Sequence, residues 1–251
     1  MNKIALVVNT ISKNKDIWEM FFDQIEKHVP ADFFSKKYVF VDRTEDKLPS
    51  GYEVVYYDTN KKYRDQFLSG IKHVKEKYCV YISEDYILYG DIQSRILDEY
   101  LSILDDNPRL SFIRFIKGGI ANIGFPNYAG RKDLFELHHS IPYFYTNQAA
   151  LWRTRDLEKI HQYGPNLHIA NMDYENSFEW RATKTCQELD IRGLFCYHNE
   201  PKRGMYHYDC YVFPHVATAL VKGKWNMLEY EKELSPLIEK YNIVLSERGL
   251  A

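Results

Sequence analysis

Two adjacent carboxylates, Glu84 and Asp85, follow a short apolar run that ends in Ile82-Ser83. The run begins at Tyr78 and has the length and the β-branched and aromatic content of a buried strand. Ligands of open α/β sheets collect beyond the carboxyl ends of the strands, so both carboxylates are expected at the rim of a crevice. Carboxylate oxygens at such a rim are suited to bind Mg²⁺ or Mn²⁺, and the cation can in turn bind a phosphate group. The alternative is an ordinary strand followed by an acidic turn.

The elements that must position these carboxylates follow from apolar runs that alternate with amphipathic segments. Strands are predicted at 4–8, 37–42, 53–58, 78–82, 110–116 and 193–197, and helices at 17–29, 63–77, 92–104 and 228–241. A further helix, capped by Thr154 or Asp156, is expected to reach His161, and 172–189 is expected to be at least partly helical. This order predicts an α/β fold with a mainly parallel, twisted sheet flanked by helices and a C-terminal helical extension.

Composition excludes several classes of protein. The chain has 251 residues, is 45% hydrophobic and has a formal charge of −2, so nucleic acid is not expected as its main partner. Its four cysteines form no Cys-x-x-Cys pair, which disfavours a zinc site or a disulfide framework. No apolar stretch approaches the roughly 18 residues of a membrane span, and the first apolar run is too short for a signal peptide. We therefore expect one cytoplasmic domain over 1–251.

A longer pattern surrounds the acidic turn Ser83-Glu84-Asp85. The segment Tyr63-Arg64-Asp65-Gln66-Phe67-Leu68-Ser69-Gly70-Ile71-Lys72 precedes the strand, and the turn follows it. This order resembles the nucleotide-sugar-binding half of family-2-like GT-A-fold glycosyltransferases, in which a helix carrying Arg and Gly leads into a strand that ends in Asp-x-Asp. The resemblance covers roughly the first 160 residues. It implies a nucleotide-sugar half at 1–116 and an acceptor half with the C-terminal helix at 117–251.

The resemblance implies a metal ligand at Asp85 and a substrate contact at Glu84. Ser83 stands where the family has its first Asp, a departure that puts metal dependence in question. A nucleotide diphosphate leaving group develops negative charge as the sugar–phosphate bond breaks. Mg²⁺ or Mn²⁺ held by Asp85 would neutralise that charge and orient the diphosphate.

Other polar residues at predicted strand ends are assigned by the same resemblance. Asn9, Thr10, Asp42 and Asp58 are expected to contact the base and ribose of the nucleotide, and Arg64 is expected to face the diphosphate. The alternative for each is a solvated turn.

A second acidic segment, Asp173-Tyr174-Glu175, follows in the other half. An inverting transferase needs a carboxylate that takes the proton from the attacking acceptor hydroxyl. In the resembling family this base lies near the start of a helix in the second half, and Glu175 or Asp173 matches that position. Glu179 lies four residues after Glu175, so on a helix the two carboxylates would share a face. The alternative is a solvated helix face.

Polar residues elsewhere in the second half complete the predicted site. Gln148 offers a donor and an acceptor for sugar hydroxyls, although a polar residue beside a core strand explains it equally well. Some GT-A enzymes add a late histidine to the metal shell, and His207 or His215 could match it. Cations on a closing loop would complement the leaving group, and the candidates are Lys202, Arg203 and Lys224.

Together these residues predict a glycosyltransferase that moves a sugar from a nucleotide diphosphate sugar to a hydroxyl of a glycan or lipid-linked acceptor. No phosphate loop, Gly-x-Gly-x-x-Gly or Gly-x-Ser-x-Gly motif is present. A GT-A-like nucleotidyltransferase is disfavoured because Val8-Asn9-Thr10-Ile11-Ser12 lacks glycine. A non-catalytic carbohydrate- or nucleotide-binding module of the same fold stays open because of Ser83.

Overall fold

The computed structural model describes residues 4–46, 48–118, 124–165 and 177–251. Within these ranges the chain forms an eight-stranded central sheet and two small hairpins. The sheet consists of β1 (Ile4–Asn9), β2 (Lys36–Asp42), β3 (Tyr52–Tyr57), β4 (Tyr78–Ser83), β5 (Leu110–Arg114), β6 (Leu134–Glu136), β7 (Ala150–Arg153) and β8 (Arg192–Cys196). The hairpins are β9 (Lys202–Arg203) with β10 (His207–Tyr208), and β11 (Leu220–Val221) with β12 (Lys224–Trp225).

The helices pack around this sheet. They are α1 (Trp18–His28), α2 (Tyr63–Ile71), α3 (Ser94–Asp106), α4 (Thr154–Tyr163), α5 (Phe178–Glu188), α6 (Met227–Lys240) and α7 (Leu245–Arg248). Short 3-10 turns at Ser12–Ile17 and Tyr128–Gly130 lie in the connections. The helical C-terminal segment predicted from the sequence is present as α6.

The strand order is β3-β2-β1-β4-β7-β5-β8-β6. In this sheet the strands β1 to β4 are parallel, β5 is parallel to β8, and only β7 and β6 of its described strands run against their neighbours. This confirms the predicted mainly parallel sheet. Its register pairs Asn9 with both Phe40 and Ser83, and Asp42 with Tyr57, so the carboxyl ends of the first four strands lie along one edge.

Two hydrophobic cores cover the two faces of the sheet. Alternate residues of β1 show the division: Leu6 and Val8 face the core that includes Phe21 of α1, whereas Ala5 and Val7 face the other core. A parallel strand buried on both faces must be apolar at every position, which is why β1 and β4 are continuous apolar runs.

Two local predictions were wrong. The helix predicted over 63–77 ends at Ile71, after which His73 and Val74 donate backbone hydrogen bonds only three residues back. Val74 is buried in the same core as α2, so apolar residues continue at helical spacing beyond Ile71. The spacing therefore does not show where the helix ends. The second error concerns α4: neither Thr154 nor Asp156 caps it, because the helix starts at Thr154 itself and has no side-chain cap.

Region 124–145, between β5 and β7, contains only β6 and a 3-10 turn among its described elements. The polar stretch after β8 forms the first strand of a hairpin. The division into a nucleotide-sugar half at 1–116 and an acceptor half at 117–251 stays a prediction. The assignment of the chain to a single domain also stays a prediction.

Candidate functional site

The acidic turn Ser83-Glu84-Asp85 lies at the end of β4. Glu84 is buried, and its Oε1 accepts a hydrogen bond of 2.5 Å from the side-chain amide of Asn14. Burial raises the pKa of Glu84, while the bond from Asn14 opposes that shift. Burial and the neighbouring charge of Glu84 raise the pKa of Asp85 well above its ordinary value. Two crowded, desolvated carboxylates of this kind would be stabilised by a bound cation.

His215 lies beside this turn. Backbone hydrogen bonds from Val216 to Ile87 and from Ala219 to Asp85 hold the two segments side by side. Nδ1 of His215 is 2.6 Å from the Phe213 carbonyl, and its buried Nε2 has no hydrogen-bond partner among the described residues. Burial lowers the pKa of His215 to about 4, so the imidazole is neutral near pH 7, the form that binds metals.

The three predicted metal ligands do not converge in one cluster. No group of three His, Cys, Asp or Glu side chains that could hold a metal ion occurs in the described part of the chain. Asp85 and the unpartnered nitrogen of His215 nevertheless suit a divalent cation chemically. Mg²⁺ commonly uses one or two protein carboxylates and takes its other ligands from phosphate and water.

The residues predicted to contact base and ribose divide into two groups. Thr10 and Asp42 lie at the same edge as Glu84 but are engaged: Thr10 Oγ1 accepts 2.7 Å from Trp18 Nε1, and Asp42 accepts 2.5 Å from Ser12 N and 2.6 Å from Ser12 Oγ. Asn9 ends β1 at this edge and is partly exposed. The exposed Asp58 instead stabilises the turn before α2 by accepting from Asn60 N at 2.9 Å.

The predicted cations lie in different environments. Arg64 is in the first turn of α2, where it donates 3.1 Å to Asp65 and 3.3 Å to the Gly164 carbonyl. Arg203 donates to Asp209 at 2.9 Å and to Glu233 at 2.5 Å, which ties the β9–β10 hairpin to α6. Lys202 and Lys224 are exposed on the two hairpins.

A cavity of about 330 Å³ opens beside β5 and β8. Its polar lining defines what we call the polar cavity: Arg114, Lys117, Thr146, Gln148, Glu179 and His207. Aromatic side chains such as Phe125, Phe195 and Tyr206 complete the walls. Apolar walls with a few convergent polar groups are typical of small-molecule sites.

Gln148 and His207 meet inside this cavity. The side-chain nitrogen of Gln148 is 3.1 Å from Nε2 of His207, and Oε1 of Gln148 is buried without a partner in the part of the chain that the structure describes. Burial lowers the pKa of His207, which favours the neutral ring. The predicted sugar contact, Gln148, is therefore placed in a cavity with an acceptor atom that a ligand hydroxyl can satisfy.

Arg114 and Glu179 also line the polar cavity, although neither was predicted from the sequence as a site residue. Arg114 ends β5, and its Nη1 donates to the Tyr143 carbonyl at 3.2 Å. Burial lowers the pKa of Arg114 to about 10, while the charge of Glu179 opposes the shift. Oε1 of Glu179 accepts 2.6 Å from Asn147 N, and burial raises the pKa of this carboxyl. One feature of the sequence could have indicated Arg114 as a site residue. It is a cation inside a predicted buried strand, where charged residues are rare.

The acidic turn and the polar cavity are neighbours. Tyr86, which follows Asp85, donates 3.0 Å from its hydroxyl to the carbonyl of Asn147, which precedes Gln148. A ligand at the end of β4 therefore lies next to the cavity. The predicted bases Asp173 and Glu175 lie outside the described residues, in the segment that leads into α5.

Comparisons with known proteins identify this architecture. No family model matches the chain, and no curated protein matches it significantly. TarS of S. aureus, a GT-A-like glycosyltransferase, is similar in structure. TarS 1-349 in complex with UDP is 16% identical over 82% of this chain and 60% of that chain, with a TM-score of 0.50. A second structure of TarS is 15% identical over 99% of this chain and 40% of that chain, with a TM-score of 0.50. The chain has a GT-A-like fold.

The chain spans only 60% and 40% of these two TarS structures. The match to a cytidylyltransferase from Leptospira borgpetersenii covers 100% of this chain and 100% of that chain, at 12% identity and a TM-score of 0.46. Within the GT-A-like fold of this chain, the acidic turn ends the fourth strand and the polar cavity lies on the side of β5 and β8. None of the described helices combines the length and apolar character that crossing a bilayer requires.

Proposed function

We propose that the chain is a glycosyltransferase that moves a sugar from a nucleotide diphosphate sugar to a hydroxyl of a glycan or lipid-linked acceptor. The observation that carries this proposal is the hydrogen bond of 3.0 Å between Tyr86 and the Asn147 carbonyl. It joins the acidic turn, suited to a diphosphate with its cation, to the polar cavity, suited to a sugar. The complex of TarS with UDP supports uracil as the first nucleotide base to test.

The acidic turn is proposed to hold the diphosphate end of the donor. Asp85, on a segment that backbone hydrogen bonds hold beside the His215 segment, would hold Mg²⁺ or Mn²⁺, which would supply charge neutralisation for the leaving diphosphate. Glu84 has a different role in this proposal, because its carboxylate is engaged by Asn14. It keeps the 3-10 turn at Ser12–Ile17 close to the end of β4, where the nucleotide would bind.

The polar cavity is proposed to hold the transferred sugar and the attacking hydroxyl. Gln148 orients sugar hydroxyls through its Oε1, which no other described residue engages. Inversion needs a base on the acceptor side, and Glu175 or Asp173 remains the candidate because this segment leads into α5, whose first turn lines the cavity through Glu179. Glu179 itself is held by the Asn147 backbone amide and is proposed to position Arg114.

The experiment measures UDP binding and the slow hydrolysis of a panel of UDP-sugars with Mn²⁺. We expect UDP to raise the unfolding temperature, and at least one donor to release UDP. Asp85→Asn should lower the hydrolysis rate about 100-fold or more, because it removes the carboxylate proposed to hold the cation. Asp98→Asn is the matched control, since it removes an exposed carboxylate of α3 and should behave as wild type.

Three results would contradict parts of this proposal. Binding of UDP-sugars without any release of UDP, even with acceptors, would indicate a non-catalytic binding module. Formation of pyrophosphate from a nucleoside triphosphate would indicate a nucleotidyltransferase. A product with the anomeric configuration of its donor, measured by NMR, would overturn inversion.

A further inference from the structure

The polar cavity carries more positive than negative charge. Arg114 and Lys117 are cations, Glu179 is the one carboxylate among the described lining residues, and burial disfavours the charged form of Glu179. His207 adds no charge, because burial lowers its pKa. A cavity built only for neutral sugar hydroxyls does not need two cations.

The guanidinium of Arg114 retains unused hydrogen-bond donors. The side chain is 5% exposed, yet its hydrogen bonds within the described chain both come from Nη1, to the Tyr143 carbonyl at 3.2 Å and to Thr146 Oγ1 at 3.5 Å. Its Nε is buried and has no hydrogen-bond partner within residues 4–46, 48–118, 124–165 and 177–251. No carboxylate of the described residues lies within the 4.0 Å of an ion pair with Arg114. The charge of Glu179 acts on Arg114 without forming an ion pair, so the buried guanidinium is suited to a charged partner from outside the chain.

Lys117 is held at the same cavity, and no ion pair with another described residue neutralises it. Its Nζ lies 4.5 Å from the ring centroid of Tyr197 and 4.9 Å from that of Tyr208. Aromatic faces attract the ammonium and fix its position, but they leave its charge available to a ligand. Arg114 and Lys117 therefore present two positioned charges to one cavity.

We propose that the polar cavity binds a substrate group that carries a negative charge, a carboxylate or a phosphate, held by Arg114 and Lys117. The assignment of that group to the transferred sugar or to the acceptor rests on the proposed transferase function. Arginine binds either anion through paired hydrogen bonds, whereas a neutral hydroxyl leaves its charge uncompensated.

The test uses pairs of probes that differ in charge. Free glucuronate and glucose 6-phosphate are compared with glucose, with and without UDP, by calorimetry at low salt, which tests an acceptor-like group. UDP-glucuronate is compared with UDP-glucose to test the donor sugar. We expect a preference of about tenfold or more for the charged member of at least one pair. The pair that shows it identifies the source of the anion.

Variants assign the preference to residues. Arg114→Gln should abolish it, Arg114→Lys should retain part of it, and Lys117→Gln should weaken it several-fold. Lys117 is partly exposed, so its variant keeps the test decisive if Arg114→Gln does not fold. Arg192→Gln is the matched control, because Arg192 is at the start of β8, half exposed, and paired with Asp190. It should keep the full preference.

The two proposals fail in different ways. If UDP binds but charged and neutral probes bind equally, the inference about the anion is wrong and the transferase proposal stands. If no nucleotide binds but free glucuronate or glucose 6-phosphate is still preferred through Arg114, the transferase proposal is wrong and the anion site stands. A charge preference unchanged in both Arg114→Gln and Lys117→Gln would also overturn the inference.

Discussion

The side-chain nitrogen of Gln148 lies 3.1 Å from Nε2 of His207, a contact between residues 59 positions apart. An amide nitrogen is only a donor, so Nε2 must accept and the proton of a neutral His207 is on Nδ1. This arrangement fixes the amide so that Oε1 of Gln148 is the atom left for a ligand.

Removing either partner should therefore impair substrate binding more than turnover. For Gln148→Ala and His207→Ala we expect KM to rise about tenfold, with a smaller change in kcat. Gln148→Ala loses the hydrogen bond from the substrate to the amide, and His207→Ala loses the hydrogen bond that orients this amide. The double variant should cost less than the sum of the single variants, with a coupling of about 1 kcal/mol. His138→Ala, at an exposed position, is the control. Strictly additive effects would contradict the positioning role of His207.

The short helix α7 is connected to the acidic turn through Asn14. Nη2 of Arg248 donates 3.1 Å to Oδ1 of Asn14, whose amide donates 2.5 Å to Glu84, and Arg248 also pairs with Asp16. Arg248→Gln should lower the free energy of unfolding by about 1 kcal/mol and weaken UDP binding several-fold. Urea unfolding and calorimetry measure the two effects. Arg95→Gln removes a cation that is 94% exposed and should change neither; equal behaviour of the two variants would refute the connection.

Acid should destabilise the protein through His161. Its ring is fully buried and stacks on Phe67 with ring centroids 3.7 Å apart, and burial lowers its pKa to about 3. The unfolded chain binds a proton below about pH 6.5, whereas the folded chain does not until about pH 3. Stability is therefore lost as the pH falls through this window, by up to about 1.4 kcal/mol per pH unit from this residue.

His161→Phe should remove that part of the pH dependence, because phenylalanine can fill the stack without titrating. At pH 7 the variant loses the hydrogen bond to the Leu157 carbonyl, at a cost of about 1 kcal/mol. Urea unfolding at pH 7, 6 and 5 compares the slopes. His138→Ala should keep the wild-type slope, and a His161→Phe protein that also keeps it would show that another group causes the acid sensitivity.

Arg153 should be important for stability and not for the reaction. This buried side chain donates 3.2 Å to the Leu110 carbonyl, 3.2 Å to the Tyr78 hydroxyl, and also to the Leu104 carbonyl, near the end of α3. Arg153→Met removes these hydrogen bonds and the buried ion pair with Asp156, and should lower the free energy of unfolding by about 2–4 kcal/mol. The exposed neighbour Arg109→Met is the control. UDP binding per folded molecule should remain unchanged, and a selective loss of binding would contradict a purely structural role.

Local patterns predicted most of the fold. The apolar run of β4 and its acidic end were visible in the sequence because a strand buried on both faces must be apolar throughout, and the alternation of strands and helices predicted the mainly parallel sheet. The end of α2 was not visible, because Val74 continues the apolar spacing in a turn that is no longer helical.

Asp85 illustrates what the sequence by itself determined: a carboxylate at the end of a buried strand, in a GT-A-like fold. Only the tertiary structure decided what surrounds it. Arg114 and Glu179 are 65 positions apart, and they line one cavity because α5 leads into β8, which lies beside β5 in the sheet. Sequence patterns report which face of an element is apolar, since burial repeats with the period of the element. They do not report which polar ends meet, because that depends on strand order and on the packing of segments distant in the chain.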